Sequence, residues 1–200
     1  MKKDNFTLRY KVSLRQNLLK QIDAPVVMET HGGYGGIWRR CYSHLDTGVV
    51  FEKDPAKAGK LALQRPTWAV YECDCEQALG DGVGFHLPVN FLDVDPYGDP
   101  WPIIEAFFSA NRDGPSKLLI AVNDGLRQKI KMNGGWDVES MKDMVSKIGA
   151  ANMYKDYLAV CQMLMEEKAG RRGYSLTGWT GYYCGHAKQM SHYGAVLTRK

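Results

Sequence analysis

The chain has 200 residues, 44% hydrophobic and 24% charged, the composition of one globular domain, which excludes a disordered or collagen-like chain. Its 26 basic and 22 acidic residues leave a formal charge of +4, too small to identify a nucleic-acid partner by charge alone. No apolar run has transmembrane length and no signal-type apolar core follows Met1-Lys2-Lys3, so a cytoplasmic protein without membrane contact is expected.

In chain order, Leu14, Leu18 and Ile22 recur at four-residue spacing and predict a helix over Lys11–Ile22, stopped by Asp23-Ala24-Pro25. Val26–Thr30 is a first strand, followed by a glycine-rich turn and a helix over Gly36–Leu45. Gly48–Glu52 is a second strand, and Pro55–Gln64 a helix with Pro55 in its first turn and Asp54 as its cap. Thr67–Asp74 and Val89–Val94 are the third and fourth strands, Trp101–Asn111 a helix, and Lys117–Asn123 a fifth strand. Val138–Lys168 reads as helical with a break at Gly149, and Tyr174–Cys184 and His192–Arg199 close the chain as two strands. Strands alternating with helices predict an α/β fold, a mostly parallel seven-stranded sheet covered on both faces, with an antiparallel last strand. One domain over 1–200 is expected, since no repeat or linker divides the chain. Ligands of such sheets bind beyond the carboxyl ends of the strands, at the switch point of strand order.

Those ends carry the chemistry. Glu29-Thr30-His31-Gly32-Gly33-Tyr34-Gly35-Gly36 follows the first strand, and its glycines permit a sharp turn and a close ligand approach. The dinucleotide pattern G-x-G-x-x-G fails, because Trp38 stands at its third position. Glu52 ends the second strand, with Lys53 behind it, at roughly the 20-residue spacing from the glycine loop that suits capture of ribose hydroxyls. Asp74, beside Cys75, ends the third strand, where an acid can accept from an adenine amino group. Asp93-Val94-Asp95-Pro96-Tyr97-Gly98-Asp99-Pro100 follows the fourth. The five cysteines include one close pair, Cys73 and Cys75, whose spacing does not suit a zinc knuckle, so reduced thiols and no metal are expected.

The glycine loop resembles the E-x-G-x-G-x-G loop of class I S-adenosyl-L-methionine (SAM) methyltransferases, with His31 in place of the first glycine. The Asp93–Pro100 segment resembles the (D/N)-P-P-Y motif of N-methyltransferases and, more closely, the D-x-D-P-x-G-(S/T)-P motif of tRNA guanine-N2 dimethyltransferases, from which Asp99 departs. The resemblance implies a Rossmann-like methyltransferase fold with SAM as cofactor, held by Glu29, Thr30, His31, Gly33, Gly35, Glu52, Lys53, Asp74, Cys75 and Asp93. It implies catalysis by Asp95, with Asp93 as its rival, together with Pro96 and Tyr97. A carboxylate and a backbone carbonyl accepting both N–H groups of an aromatic amine would hold its nitrogen in line and stabilise the charge developing there. Tyr97 suits stacking on a base, and Trp101 and Trp136 could extend that surface. The expected activity is methylation of a nitrogen on a nucleic-acid base, RNA ahead of DNA. Arg39-Arg40, Arg127–Lys131 and Arg171-Arg172 are candidate phosphate contacts, and a homodimer or partner subunit is expected to supply substrate binding, because the dimethyltransferases carry an extra C-terminal domain. The alternatives are a protein or small-molecule amine as substrate, a SAM-binding subunit without activity, and a nicotinamide oxidoreductase, which Trp38 disfavours.

Overall fold

The computed structural model describes residues 7–110, 113–128 and 139–200. The elements are α1 (Leu8–Leu19), β1 (Val27–Glu29), α2 (Gly36–Cys41), β2 (Gly48–Phe51), α3 (Pro55–Gln64), β3 (Ala69–Tyr71), α4 (Cys75–Gly80), β4 (Phe91–Val94), α5 (Trp101–Ser109) and β5 (Lys117–Asp124). A 3-10 turn at Glu139–Met141 leads into α6 (Lys142–Ile148), α7 (Ala150–Lys155), α8 (Tyr157–Gly170), β6 (Tyr174–Cys184) and β7 (Met190–Arg199).

All seven strands join one sheet in the order β3-β2-β1-β4-β5-β7-β6. The pairings among β3, β2, β1, β4 and β5 are parallel, and β7 runs antiparallel between β5 and β6. Strand order reverses between β1 and β4, which opens the ligand crevice at their carboxyl ends. The expected mostly parallel sheet with an antiparallel last strand is therefore present.

Burial follows the strand period. Val27, Val50, Phe91, Leu119 and Ala121 pack with Leu14, Leu18, Tyr42 and Leu61 from α1, α2 and α3. Met28, Val49, Leu92 and Ile120 face the other layer, packing with Leu79, Ile104 and Met165 from α4, α5 and α8. Alternate residues of each strand thus belong to opposite cores, the signature of a doubly covered sheet.

The local signals that fixed α3 are realised, with Asp54 accepting from the Lys57 amide at 3.1 Å and Pro55 in the first turn. Gly149 does break the long helical region, at φ 78°, and Asp156 interrupts it a second time. Three expectations change. The first helix starts at Leu8 rather than Lys11, the third strand shrinks to Ala69–Tyr71, and α4 follows it unforeseen. Asp74 starts α4 by accepting from the amides of Glu76 at 3.0 Å and Gln77 at 3.4 Å. Asp74-x-x-Gln77 has the form of a capping box, a signal that was present in the sequence. The fifth helix ends at Ser109; Asn111, its expected end, and Val138 lie outside the described residues.

Candidate active site

The glycine loop turns away from β1 through Gly33 at φ 53° and Gly35 at φ 73°, a backbone region that side-chain-bearing residues avoid. A Cβ on Gly33 would meet nothing within 4 Å, so the backbone at that residue faces open space, whereas a Cβ on Gly32 would run into Leu61 and one on Gly35 into Gln64 at 2.8 Å. The Gly33 amide donates to Glu52 Oε2 at 2.8 Å, and the Asp54 amide to Glu52 Oε1 at 3.0 Å. Glu52 is thereby fixed beside the loop at the end of β2, and each carboxylate oxygen keeps further acceptor capacity for a diol. This arrangement fits the ribose and carboxylate-bearing end of SAM. Thr30 donates from its amide and hydroxyl to the Asp93 carbonyl at 2.9 and 3.1 Å, which ties the loop to β4. Its hydroxyl also lies 2.9 Å from His31 Nδ1, and His31 Nε2 lies 3.8 Å from the buried Cys75 thiol. Glycine loop, Glu52 and the start of α4 thus surround one space, with Lys53 and Asp74 exposed at its rim.

Two sequence candidates take a different place. The parallel register sets Glu29 beside Asp93, two carboxylates on one face of the sheet, each 3% exposed. Glu29 pairs with Arg65, whose guanidinium lies between the rings of Trp38 and Trp68 at 5.0 and 5.2 Å. Burial pushes Glu29 up to about 7, with Arg65 opposing the rise. Asp93 accepts from Arg15 Nε at 2.7 Å, from Arg15 Nη2, and from the Tyr42 hydroxyl at 2.7 Å. Neither carboxylate is open to a ligand. Unpaired buried charge is costly, so each acid at these positions comes with its own arginine.

Asp95 differs. Its side chain is 26% exposed and accepts from Lys11 Nζ at 2.9 and 3.2 Å, with the Asn123 side chain a further hydrogen-bonding neighbour. Burial acts to raise its carboxyl, but Lys11 and Arg15 hold it below the ordinary value. The two pairs form a ladder: Lys11 and Arg15 are four residues apart on α1, about 6 Å along a helix, and Asp93 on β4 and Asp95 just past its end are two apart, about 6.6 Å along extended chain. The inner rung, Arg15–Asp93, is sealed; the outer, Lys11–Asp95, reaches solvent. Sequence reading missed both basic partners, although Lys11 and Arg15 share the stripe of Leu14 and Leu18, an unusual place for cations.

Pro96 follows Asp95, and Tyr97 is fully exposed. Asp99 accepts from the Trp101 amide at 3.0 Å and the Ser140 hydroxyl at 2.6 Å, fixing the far end of the turn. Tyr10, the residue before Lys11, and Tyr182 have ring centroids 5.8 Å apart, and the Tyr182 hydroxyl donates to the Tyr10 carbonyl at 2.7 Å. His192 lies beneath, its ring nitrogens within 3.5 Å of the Cys184 thiol, and burial, with Lys11 and Arg15, pushes it down to about 3. Asn123, paired in register with His192 on β5, is 1% exposed.

A further buried acid escaped the sequence reading. Asp124 ends β5 and accepts from Tyr157 and Tyr193 hydroxyls at 2.8 and 3.1 Å and from the Leu126 amide at 2.8 Å. Burial raises it to about 7. Nothing in the sequence marked it, since a single Asp at a strand end is ordinary.

Other expectations move as well. Trp101 is a core side chain, stacked on Tyr193 at 6.2 Å, and Trp136 lies outside the described residues. Arg127 is 7% exposed between the rings of Tyr154 and Tyr183, at 4.0 Å from each, so it is a packing cation rather than a phosphate contact. Residues 129–131 lie outside the described residues. Arg171 and Arg172 line a cleft of about 240 Å³ with Tyr174 and Arg199. Tyr174 begins β6 and Arg199 ends the antiparallel β7, which puts that cleft at the sheet edge opposite Asp95. Arg39 and Arg40 are exposed on α2. Among the described residues no group of three or more His, Cys, Asp or Glu could hold a metal ion, and no helix is long and apolar enough to cross a membrane.

No protein-family model and no curated protein sequence matches the chain. Solved structures do match. Trm1 from Pyrococcus horikoshii, in complex with S-adenosyl-L-methionine, aligns over all of this chain and 56% of its own at 10% identity and TM-score 0.64. The N-methyltransferase NodS from Bradyrhizobium japonicum, in complex with S-adenosyl-L-homocysteine, aligns over 98% of this chain and 89% of its own at 11% identity and TM-score 0.63. TYW2 from M. jannaschii, in complex with AdoMet, aligns over all of this chain and 79% of its own at 10% identity and TM-score 0.59. With this sheet order and these neighbours, the chain has the Rossmann-like fold of SAM-dependent methyltransferases.

Proposed function

We propose that the protein is an enzyme, a SAM-dependent methyltransferase that methylates a nitrogen on a nucleic-acid base, RNA ahead of DNA. The observation that carries the reading is the Asp95-Pro96-Tyr97 turn. It sets a solvent-reaching carboxylate and a fully exposed aromatic ring side by side at the β1/β4 crevice. Glu52 and the Gly33–Gly35 backbone hold the cofactor there, and bound SAM supplies an activated methyl group. Asp95 accepts from the amine and directs its lone pair; Tyr97 offers a face on which a planar base stacks. Glu29 and Asp93 keep the sheet ends in place from inside. A protein or small-molecule amine, methylated by the same turn, is the second reading. The modest charge of +4 favours it in one respect, since a bare monomer gains little from phosphate contacts. A homodimer or a partner subunit then supplies the missing footprint.

The test is incubation with methyl-labelled SAM and total RNA, DNA, protein and small-molecule fractions. Label in RNA, and SAM or S-adenosylhomocysteine released from the purified protein, are expected. Label confined to protein or metabolites refutes the nucleic-acid reading, and bound NAD refutes the methyltransferase.

A further inference from the structure

The Asp95–Asp99 turn rests on a carboxylate that lies wholly inside the protein. Gly98, at φ 117°, offers its carbonyl to the Gly125 amide at 3.0 Å, and a Cβ on Gly125 would stand 3.3 Å from Gly98 Cα, so the two backbones pack directly on each other. Gly125 is held in turn by Asp124, fully buried at the end of β5, whose Oδ1 reaches across it to accept from the Leu126 amide at 2.8 Å. Its Oδ2 accepts from the Tyr157 and Tyr193 hydroxyls and lies 3.8 Å from the Cys161 thiol. The Tyr193 ring stacks on Trp101, and the Trp101 amide donates to Asp99 at the far end of the same turn. Asp124 therefore meets the turn twice, at Gly98 through Gly125 and at Asp99 through Tyr193 and Trp101.

Resting on the methyltransferase reading, we propose that Asp124 is a positioning residue for methyl transfer: its ionised carboxylate, acting through Gly125 and Tyr193, fixes the Tyr97–Asp99 half of the turn. Tyr97 is fully exposed and has little packing of its own to place it, so the backbone of the turn decides where its ring stands. Every neighbour of the Asp124 carboxylate is a donor. A proton on Asp124 would bring one more donor into that shell, and a neighbour would have to turn away or lose its acceptor. Burial pushes the carboxyl up to about 7, with Asp99 adding to the rise and the Leu126, Tyr157 and Tyr193 donors opposing it. The titratable groups facing it are Tyr157 and Cys161 from α8, Tyr193 from β7 and Asp99 from the turn. Burial and the Asp124 charge push the first three up, so they stay protonated. Among the described residues no cation donates to Asp124. Arg127, beyond Leu126, turns to the Tyr154 and Lys188 carbonyls, and His192, next to Tyr193 on β7, points to the opposite face toward Cys184.

The test uses the full-length protein saturated with S-adenosylhomocysteine, as wild type, Asp124→Asn and Tyr193→Phe, with unfolding curves to confirm that each is folded. In the wild type, carboxyl-carbon NMR should place the Asp124 titration near 7, and the Gly98 and Gly125 amide resonances should move with the same midpoint. Tyr193→Phe keeps the ring on Trp101 but removes one donor, and should move that midpoint upward. In Asp124→Asn the two amides should hold their acid-limb positions at every pH. Turnover is read with methyl-labelled SAM on whichever of the RNA, DNA, protein or small-molecule fractions takes up label. Between about pH 8 and 6 the wild-type kcat should fall about tenfold with the KM for SAM unchanged, as expected where a group titrating near 7 must be ionised. Asp124→Asn should be flat over that range at the wild type's acid rate. Glu29, in the opposite layer, titrates in the same range, so the difference between the two profiles is decisive. A Gly98 amide that ignores the Asp124 titration, or an Asp124→Asn variant that keeps the wild-type profile, overturns the proposal while the methyltransferase reading stands. Failure of the wild type to bind S-adenosylhomocysteine, or label in no fraction, overturns both.

Discussion

Asp93→Ala is the sharpest test of the division between Asp93 at the end of β4 and Asp95 just beyond it. The Asp93 carboxylate is 3% exposed and accepts from Arg15 Nε, Arg15 Nη2 and the Tyr42 hydroxyl. Its removal leaves a fully buried guanidinium and a buried hydroxyl without their acceptor. Breaking one side of a buried pair costs about 3–5 kcal/mol. At about 2–4 °C per kcal/mol for a chain of this size, the melting temperature should fall by roughly 6–20 °C. Arg15→Met alone should cost a similar amount, because it strands the carboxylate. The double variant Arg15→Met/Asp93→Leu removes both charges into an apolar layer of Leu14, Leu18 and Phe91 and should recover most of the loss. Thermal unfolding by circular dichroism gives the cycle, and calorimetry with S-adenosylhomocysteine on the folded variants separates stability from binding. A single Asp93→Ala variant that melts within about 2 °C of wild type yet loses turnover would return Asp93 to the catalytic role and refute this reasoning.

Glu52→Ala should weaken S-adenosylhomocysteine binding about ten- to hundredfold, since hydrogen bonds to a charged acceptor contribute roughly 1.5–3 kcal/mol; unchanged affinity in calorimetry removes Glu52 from the ribose. Asp95→Ala should lower turnover about 10²–10³-fold with little change in cofactor affinity, and an active variant would show that another group directs the amine. His192 titrates near 3 in the native chain against an ordinary value of 6.5, so the unfolded chain takes its proton first and stability falls as pH drops from 6.5 toward 3. His192→Asn should remove about 2 kcal/mol of that loss between pH 6.5 and 5, read from urea unfolding; parallel curves for the two proteins would contradict it.

The readable parts of this sequence are those whose cause is local. Pro55 with Asp54, the break at Gly149 and the Gly33–Gly35 turn each follow from one or two residues and their backbone preferences, and all three stand where they were expected. Strands alternating with helices pointed to the sheet, whose central strands β1, β2, β4 and β5 bury both faces. Helix α4 was lost because six residues carry no periodicity, leaving only its capping box as a sign. The roles of Glu29, Asp93 and Asp95 were not legible for a different reason. Asp93 in β4 and Asp95 just past its end are two residues apart, and what separates them is the arginine or lysine that the first helix lays over each, some eighty residues away in the chain. No local pattern at the acid records how deeply its partner is set. Arg65 is equally remote from Glu29, and the two tryptophans that enclose its guanidinium come from α2 and the turn before β3.

Depth also explains why one ladder can serve both stability and chemistry. A pair that must exchange a partner with an incoming ligand cannot be sealed, because each exchange would leave a charge desolvated and uncompensated. The outer rung, with side chains 13% and 26% exposed, keeps water within reach and can open at modest cost. The inner rung, at 0% and 3%, cannot. It locks α1 against β4 at a point one helical turn from Lys11. The near match of four helical residues to two residues of extended chain then delivers Lys11 onto Asp95, with Arg15 donating to the Lys11 carbonyl at 3.1 Å and Tyr182 to the Tyr10 carbonyl at 2.7 Å. Because a lysine ammonium on a flexible stem is otherwise a poorly placed charge, the rigidity of the buried arginine is what makes the exposed lysine a defined part of the site. Shifting α1 by one residue would turn both cations about 100° away from β4, so the sealed pair specifies the helix register as well as the fold.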